Sequence, residues 1–256
     1  MLSIKSKSEI ELMKKACEIV ATAHELIREA VRPGITTQEL DRIATEYIRR
    51  QNAIPSFLGV KCGVPGGPDF PATICASVNN EVIHGIPGLR VLKDGDIISI
   101  DIGAFLNGFH ADAARTFPVG RVSEKAQKLI AVTEQSFFEG VKQAVPGNRI
   151  IDISTAIQEY VEGFGYSVVR DFVGHGIGRE LWEPPQIPNY RTRERGPRLE
   201  AGMTLAIEPM VNEGRHHVAM LDNKWTVVTA DGSLSAHYEN TIAITDTQPI
   251  IMTKLN

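Results

Sequence analysis

The sequence predicts an α/β (α+β) protein made of two similar halves, each with two helices and a share of antiparallel sheet. A helical pattern that ends in Pro-Gly recurs 113 residues further on, at Pro33-Gly34 and Pro146-Gly147, together with its flanking apolar positions. Strand-like apolar runs lie between these helices. With 256 residues, 43% of them hydrophobic, we expect a single domain over residues 1–256, with halves of about 1–120 and 121–256.

Two amphipathic helices are predicted at the start of the first half. Apolar residues recur at spacings of three and four from Ile10 to Val31, which predicts about six helical turns before Pro33-Gly34. His24 falls on this apolar stripe, where a packed, hydrogen-bonded core histidine is favoured over a ligand. The second helix begins at Thr36–Glu39, where Thr and Glu have the spacing of a capping box.

A segment rich in glycine and proline, Lys61–Pro71, follows the helices and is predicted to be a loop. It lies either beside a pocket or on the surface as a simple connection. A strand is predicted at Thr73–Val78 and a turn at Asn79–Glu81.

A hairpin is predicted next, because two apolar runs flank Asn107-Gly108, a dipeptide that favours a two-residue turn. Counting from that turn pairs Gly103 with Asp112. Asp101 and Asp112 then lie on one face as diagonal neighbours, since side chains alternate along a strand. Two such carboxylates repel unless they share a proton or a cation. The alternatives are a solvated pair, or a bulge that changes the register.

The second half repeats the pattern with a helix over about 123–145 and another that carries Ile153, Ile157 and Val161 on one face. Trp182–Arg198 is predicted to be an Arg- and Pro-rich connection whose four arginines, Arg191, Arg193, Arg195 and Arg198, face solvent. Strands are predicted at Tyr166–Arg170, Met203–Val211, Trp225–Thr229 and Tyr238–Thr245.

Composition excludes several classes of function. The net charge of −4 offers no general attraction to nucleic acid or to an anionic membrane, and no apolar run is long enough to span a bilayer. Three scattered cysteines are too few for a disulfide framework or a thiolate metal cluster. We therefore expect a cytoplasmic protein without a nucleic-acid or membrane partner.

Polar residues in otherwise apolar or glycine-rich contexts indicate the chemistry. His175 stands among glycines, and Glu208 and Glu239 interrupt predicted strands. Singly, each could end a strand and bond to backbone. Together with Asp101 and Asp112 they place four carboxylates and one imidazole in buried-looking contexts, and unpaired burial of that charge would be prohibitive. An oxygen-rich site with one imidazole suits Mn²⁺, Fe²⁺ or Co²⁺ better than a thiolate-rich structural zinc site would. Five side chains of this type suffice to bind two ions.

The chain resembles the type I methionine aminopeptidases, of the pita-bread fold, over essentially its full length. The resemblance is carried by the ordered set Ser77–Pro87 (SVNNEVIHGIP), Asp96–Asp101 with Gly108–Asp112 (GFHAD), Gly174–Gly178 (GHGIG), Ala206–Met210 (AIEPM) and Ser235–Thr241 (SAHYENT).

This resemblance implies removal of an N-terminal methionine from nascent proteins or short peptides, by attack of a metal-bound hydroxide on the carbonyl of the first residue. Glu208 resembles the family's proton carrier, and His84 the histidine that hydrogen-bonds near the scissile amide. The resemblance also implies two divalent ions with five ligands: Asp101, Asp112, His175, Glu208 and Glu239. Of these, Asp112 and Glu239 would contact both ions. Phe57, Cys75, Leu181 and Trp225 fall near pocket positions of the family, with core packing as the alternative for Phe57 and Leu181.

Two positions depart from the family pattern. Trp182 stands where the family usually has a second histidine, and an indole donates one hydrogen bond but cannot change charge. Slow or altered turnover is therefore one interpretation. His237 stands where the family commonly has glutamine, and we hypothesise that it partly replaces the missing imidazole at the substrate.

Two other functions compete with this prediction. An Xaa-Pro peptidase of the same fold is the alternative among enzymes, although those relatives usually carry an additional N-terminal domain. A binding relative with little turnover is the alternative outside enzymes, but it would have no need of a destabilising carboxylate cluster. A monomer is expected in each case.

Overall fold

The computed structural model describes residues 2–255. This part of the chain forms four helices: α1 (Lys7–Ala30), α2 (Thr37–Arg50), α3 (Glu124–Val141) and α4 (Ile150–Gly163). Its strands are β1 (Ile54–Pro55), β2 (Ile74–Val78), β3 (Glu81–Ile83), β4 (Ile97–Leu106), β5 (Phe109–Pro118), β6 (Ser167–Val168), β7 (Gly174–Gly176), β8 (Glu183–Ile187), β9 (Thr204–Ile207), β10 (Met210–Asn212), β11 (Val218–Met220), β12 (Val227–Thr229), β13 (Ser235–His237), β14 (Asn240–Ala243) and β15 (Ile250–Ile251). The strands pair antiparallel in sheets of three to five strands, which confirms the predicted fold class.

The central hairpin, β4 and β5, has the predicted register. Gly103 pairs with Asp112 along the two ten-residue strands. Asn107 and Gly108 have φ angles of 53° and 83°. These left-handed conformations are required by a two-residue hairpin turn, and Asn and Gly adopt them most readily. The other edge of β4 pairs with β1 and β2, so Asp101 lies in a central strand of its sheet.

Each half has a hydrophobic core closed by its helix pair. In the first half, α1 packs its fully buried residues Met13, Cys17 and Val20 against the hairpin sheet. In the second, α3 and α4 pack on each other and bury Phe137 and Ile153. Within residues 2–255, no helix combines the length and apolar character needed to cross a bilayer.

The repeat found in the sequence is visible in how α2 and α4 begin. Glu39 and Asp152 both occupy the third helical position, and each carboxylate accepts the N–H of the residue three before it, at 2.8 and 2.7 Å. Gly34 and Gly147, which precede the helices, both have φ of 93°. The two helix entries are thus built alike, 113 residues apart.

The strand predicted at Met203–Val211 is two strands, β9 and β10, which belong to different sheets. β9 ends before Glu208 and pairs with β7 and β14, whereas β10 begins after Pro209 and pairs with β6 and β13. Proline has no N–H to continue a ladder, so the chain passes from one sheet to another at this point. The strand predicted at Tyr238–Thr245 has a matching break, because β13 and β14 belong to the same two sheets and Glu239 lies between them.

Other element boundaries were predicted too long or missed. After Val141, the backbone N–H groups of Gln143 and Ala144 donate to carbonyls three residues earlier, which is a 3₁₀ pattern and not an α-helical one. The helix α3 therefore ends four residues earlier than predicted. The connection predicted over 182–198 contains a strand, β8, which pairs with β7. That pairing depends on a partner distant in sequence, which local composition does not reveal.

His24 is a core histidine, as expected. It is 3% exposed, and its Nε2 donates a hydrogen bond of 2.8 Å to the carbonyl of Ala113 in β5. Burial, with the nearby positive charge of Arg115, lowers the pKa of His24 to about 3. The ring therefore stays neutral in the folded protein and ties α1 to the hairpin.

We expect a His24→Gln variant to lose part of the acid sensitivity of folding. The unfolded histidine binds a proton below about pH 6.5, whereas the folded one does not, so His24 destabilises the parent by about 1.4 kcal/mol for each pH unit below that value. The glutamine amide can still donate a hydrogen bond but does not titrate. Urea unfolding at pH 6.5 and 4.5 measures the difference. A constant gap between parent and variant would contradict the prediction, and His217→Gln, at an exposed position, is the control.

Candidate metal centre

A cavity of about 480 Å³ opens between the two halves of the chain and contains the predicted chemistry. Five side chains in its wall form what we call the carboxylate cluster: Asp101, Asp112, His175, Glu208 and Glu239. The structure therefore brings together all five residues that the sequence singled out as ligands.

The hairpin positions two members of the cluster. Asp101 on β4 and Asp112 on β5 lie on the same face, because Asp112 pairs with Gly103, two residues along the strand from Asp101. The backbone N–H of Asp112 donates to Thr241 Oγ1 at 3.0 Å, and that hydroxyl donates to the carbonyl of Asp112 at 2.8 Å. These two hydrogen bonds hold β5 against β14. They thereby bring Asp101 and Asp112 of the first half close to the glutamates of the second half.

The two glutamates lie where the chain crosses between sheets. Glu208 follows β9, and Glu239 precedes β14, the partner of β9. The backbone N–H of Glu239 donates to the carbonyl of Ala114 at 2.9 Å, and the N–H of Ala114 returns a bond at 3.3 Å. Since Ala114 pairs with Asp101, these bonds place Glu239 at the hairpin carboxylates.

His175 lies on β7, next to β9. Its Nδ1 donates to the carbonyl of Gly176 at 2.9 Å, which leaves the Nε2 lone pair free toward Glu208 Oε1, 3.6 Å away. A Cβ on Gly174 would lie 2.5 Å from the carbonyl oxygen of Ala206, so only glycine permits this approach of β7 to β9. The glycines around His175 thus serve sheet packing that aims the imidazole.

Burial dominates the electrostatics of the cluster. It raises the pKa of Asp101 to about 6 and that of Glu208 to about 7. It raises the pKa values of Asp112 and Glu239 well above their usual range, with repulsion from the neighbouring carboxylates adding to the effect. Without a cation, burial thus shifts each of these carboxyl groups toward its protonated form.

The unpartnered atoms of the cluster test whether a metal fits. Asp101 Oδ1, Asp112 Oδ1 and Glu239 Oε1 are buried without a hydrogen-bond partner. Donor atoms of Asp112, His175 and Glu239 lie within 4.8 Å of one another, and so do those of Glu208, His237 and Glu239. Carboxylate oxygens and imidazole nitrogens at such separations match the ligands of a divalent cation. The residues present therefore fit a metal centre, and Glu239 belongs to both groups.

His84 faces the same cavity in a strained conformation. Its φ of 57° is unusual for a residue with a Cβ, and such strain is concentrated at functional sites. Its ring packs edge-on against Phe172 and Trp225, with centroids 5.8 and 6.1 Å apart. Burial lowers the pKa of His84 to about 4, so the ring is a neutral hydrogen-bonding group at neutral pH.

Three of the predicted pocket residues, Phe57, Cys75 and Trp225, line the cavity. Phe70 lines it as well, from within the loop predicted over 61–71, and Trp225 Nε1 donates to the carbonyl of Pro68 at 2.8 Å. The loop therefore lies beside the pocket, as one of the two interpretations had it.

Leu181 and His237 are not among the residues that line the cavity. Leu181 is 7% exposed and packs in the core of the first half, the placement that the core-packing alternative described. His237 is turned toward Glu208 and Glu239 and is not among the residues that line the cavity. Trp182 does line the cavity and is 57% exposed. His237 thus lies against the carboxylate cluster, Trp182 lies in the cavity wall, and the hypothesised role of His237 at the substrate stays a prediction.

Arg115 supports the site and was missed by the sequence analysis. Its guanidinium donates to the backbone carbonyls of Ala114 and Glu239 and, at 2.6 Å, to Asn240 Oδ1. It thereby holds the segment that carries Glu239. The available signal was a lone arginine within the otherwise apolar part of β5.

Comparison with known proteins agrees with this geometry. Residues 11–246 match metallopeptidase family M24. The methionine aminopeptidase of Clostridium perfringens is 59% identical over 253 residues, which cover 99% of each chain. The crystal structure of the methionine aminopeptidase from Thermotoga maritima superimposes with a TM-score of 0.94 at 45% identity and full coverage of both chains.

The alternative of an Xaa-Pro peptidase is not favoured. The Xaa-Pro dipeptidase from Bacillus anthracis is 24% identical with a TM-score of 0.77, and the match covers 99% of this chain but 62% of that one. That likeness shows a shared fold alone. The family match, the full-length identity to methionine aminopeptidases and the assembled carboxylate cluster agree: the chain belongs to metallopeptidase family M24 and is similar to its methionine aminopeptidases throughout its length.

Proposed function

We propose that this protein is a metal-dependent aminopeptidase that removes the N-terminal methionine from nascent chains and short peptides. The observation that carries the proposal is the convergence of four carboxylates and one imidazole on a cavity that Phe57, Phe70 and Trp225 also line. Full-length similarity to methionine aminopeptidases supports the same reaction.

The proposed ligands of two divalent ions are the five residues of the carboxylate cluster. Their four carboxylates and one imidazole favour Mn²⁺, Fe²⁺ or Co²⁺ over Zn²⁺. When bound, such ions polarise a carbonyl and lower the pKa of water. Glu239 is the proposed shared ligand, because it belongs to both groups of close donor atoms.

Glu208 is proposed to carry the proton from water to the leaving amine. Its carboxyl lies in the cavity wall among the proposed ligands, beside the position of a metal-bound water, and in the metal-free protein burial raises its pKa to about 7. Neutral His84 is proposed to hydrogen-bond the substrate near the scissile amide, from its constrained position in the cavity wall.

The apolar wall is proposed to take the methionine side chain. Phe57, Phe70 and Trp225 offer rings, and the Cys75 thiol adds a soft atom, an environment that suits a flexible thioether. Substrate would thus be held with its N-terminus toward the carboxylates and its side chain among the aromatic residues.

One unit over residues 1–256 is proposed to carry out the reaction, because the first half supplies Asp101 and Asp112 and the second half the other three ligands. We propose a monomer that acts in the cytoplasm, where nascent chains arise, and that does not bind nucleic acid.

A peptide assay tests the proposal. Protein freed of metal by chelation should not cleave Met-Ala-Ser, and addition of Mn²⁺, Fe²⁺ or Co²⁺ should restore cleavage. Gly-Pro, the control substrate, should stay intact with every metal. Equal cleavage of Met-Ala-Ser without a divalent cation, or preference for Gly-Pro, would overturn the proposal.

Trp182 is expected to limit turnover. We expect Trp182→His to raise kcat, by up to about 100-fold if the imidazole supplies a hydrogen bond to the reacting carbonyl. Trp182→Phe removes the N–H but keeps an aromatic ring, so it is the matched control and should not raise kcat. A histidine variant no faster than the phenylalanine variant would count against this role.

A further inference from the structure

His237 has the features of a metal ligand that the predicted set does not include. Its side chain is 1% exposed, and both ring nitrogens are buried without a hydrogen-bond partner. A buried polar group normally has a partner, because burial without one costs free energy. Both nitrogens of the imidazole are therefore available to bind an occupant of the site.

The neighbours of His237 indicate which kind of occupant fits this position. Nε2 lies 3.6 Å from Glu208 Oε2 and 4.0 Å from Glu239 Oε2. Both distances are too long for hydrogen bonds. Two donor atoms that each lie about 2.1 Å from one ion are at most about 4.2 Å apart, so both distances fit ligands of a common cation.

The backbone holds His237 in this position. Its N–H donates to Thr116 Oγ1 at 2.9 Å, and the same hydroxyl donates to the carbonyl of His237 at 2.9 Å. Strand pairing with Met210 fixes the other side. Because the backbone is bonded on both sides, the imidazole is directed at the glutamates by the sheet and not by a contact of the ring itself.

Glu208 lies between two imidazoles. Its Oε1 is 3.6 Å from His175 Nε2, and its Oε2 is 3.6 Å from His237 Nε2. We infer that His237 is a second imidazole ligand of the metal centre, bound to the same ion as Glu208 and Glu239. This inference rests on the proposed function, since it adds a ligand to the proposed metal centre.

A second nitrogen donor changes which metals the centre prefers. Imidazole suits Fe²⁺, Co²⁺ and Zn²⁺, whereas Mn²⁺ binds well to oxygen ligands alone. His237 should therefore strengthen binding of Co²⁺ and Zn²⁺ more than binding of Mn²⁺. Glutamine at this position would offer an amide oxygen and remove that preference.

Calorimetric titration of metal-free protein tests the inference. We expect His237→Gln to weaken Co²⁺ binding at least tenfold and Mn²⁺ binding by a much smaller factor, and His216→Gln, in a loop outside the cavity, to leave both unchanged. Equal affinities of parent and His237→Gln for Co²⁺ would overturn the inference.

A second measurement uses the parent protein alone and does not depend on the folding of a variant. In ¹⁵N-labelled protein loaded with Zn²⁺, long-range ¹H–¹⁵N spectra should show metal-induced shifts of Nε2 in two histidines, and a shift in one histidine alone would contradict the inference. Failure of the parent to bind any divalent metal would instead overturn the proposed function, so the two failures are distinguishable.

Discussion

Replacing Asp112 by asparagine is expected to abolish metal-dependent cleavage of Met-Ala-Ser and, at the same time, to stabilise the metal-free protein. Asp112 is 4% exposed, and its Oδ1 has no hydrogen-bond partner. Burial first, and then the charges of Glu239 and Asp101, raise its pKa well above the usual range. An asparagine keeps the shape of the side chain and removes the charge that only a cation can balance.

The sign of the effect depends on pH. The folded, metal-free protein holds a proton on Asp112 at pH values where the unfolded chain has lost it, above about 3.8. Each such retained proton lowers the free energy of unfolding by about 1.4 kcal/mol for each pH unit above the unfolded pKa, until the folded pKa is reached. The stabilisation by Asp112→Asn should therefore be small at pH 4 and increase as the pH rises toward 7.

Thermal and urea unfolding with and without metal measure both effects. At 100 times its dissociation constant, a bound ion stabilises the parent by about 2.7 kcal/mol, and the variant should lose this gain. Asp246→Asn, at an exposed position, is the matched control and should change neither quantity. A variant that is less stable than the parent without metal, or that keeps the full gain with metal, would refute the prediction.

Replacing Arg115 by methionine is expected to destabilise the protein by about 3 kcal/mol, because it removes a charged donor from several acceptors in the interior. The guanidinium donates to the carbonyls of Ala114 and Glu239, to Asn240 Oδ1 and, at 3.1 Å, to the carbonyl of Thr253. It joins the hairpin to the segment of Glu239 and to the C-terminal segment. Methionine fills similar space but satisfies none of these acceptors.

Urea unfolding of two further variants separates charge from geometry. Arg115→Lys keeps the charge, but one ammonium cannot reach acceptors spread around a planar guanidinium, so its loss of stability should be intermediate. Arg191→Met, at an exposed position, should unfold like the parent. A loss below 1 kcal/mol in Arg115→Met would show that the four hydrogen bonds contribute little.

Local rules explain what could be predicted from the sequence. The Asn107-Gly108 turn allowed the register to be counted to Asp112, because the side-chain period of a strand is two residues. The Pro-Gly repeat predicted two similar halves, and the capping-box spacing predicted where α2 begins, since caps depend on neighbours within one turn. The need to neutralise buried carboxylates predicted that distant acids converge.

Contacts between distant segments were decided only by the tertiary structure. The breaks at Glu208 and Glu239 depend on which sheet each strand joins, and the strand β8 depends on its pairing with β7. Leu181 and His237 have the residue types of a pocket, yet packing places the first in the core and turns the second toward the glutamates.

The sequence by itself thus determined the fold class, the hairpin and the identity of the acids and the imidazole that meet, because turns, caps and periodicity act within a few residues and buried charge must be balanced wherever it lies. Only the tertiary structure decided the distances among those groups, the support by Arg115 and the direction of His237. These depend on how sheets from both halves pack, since the bonds of Arg115 to Glu239 and of His237 to Thr116 join residues more than a hundred positions apart.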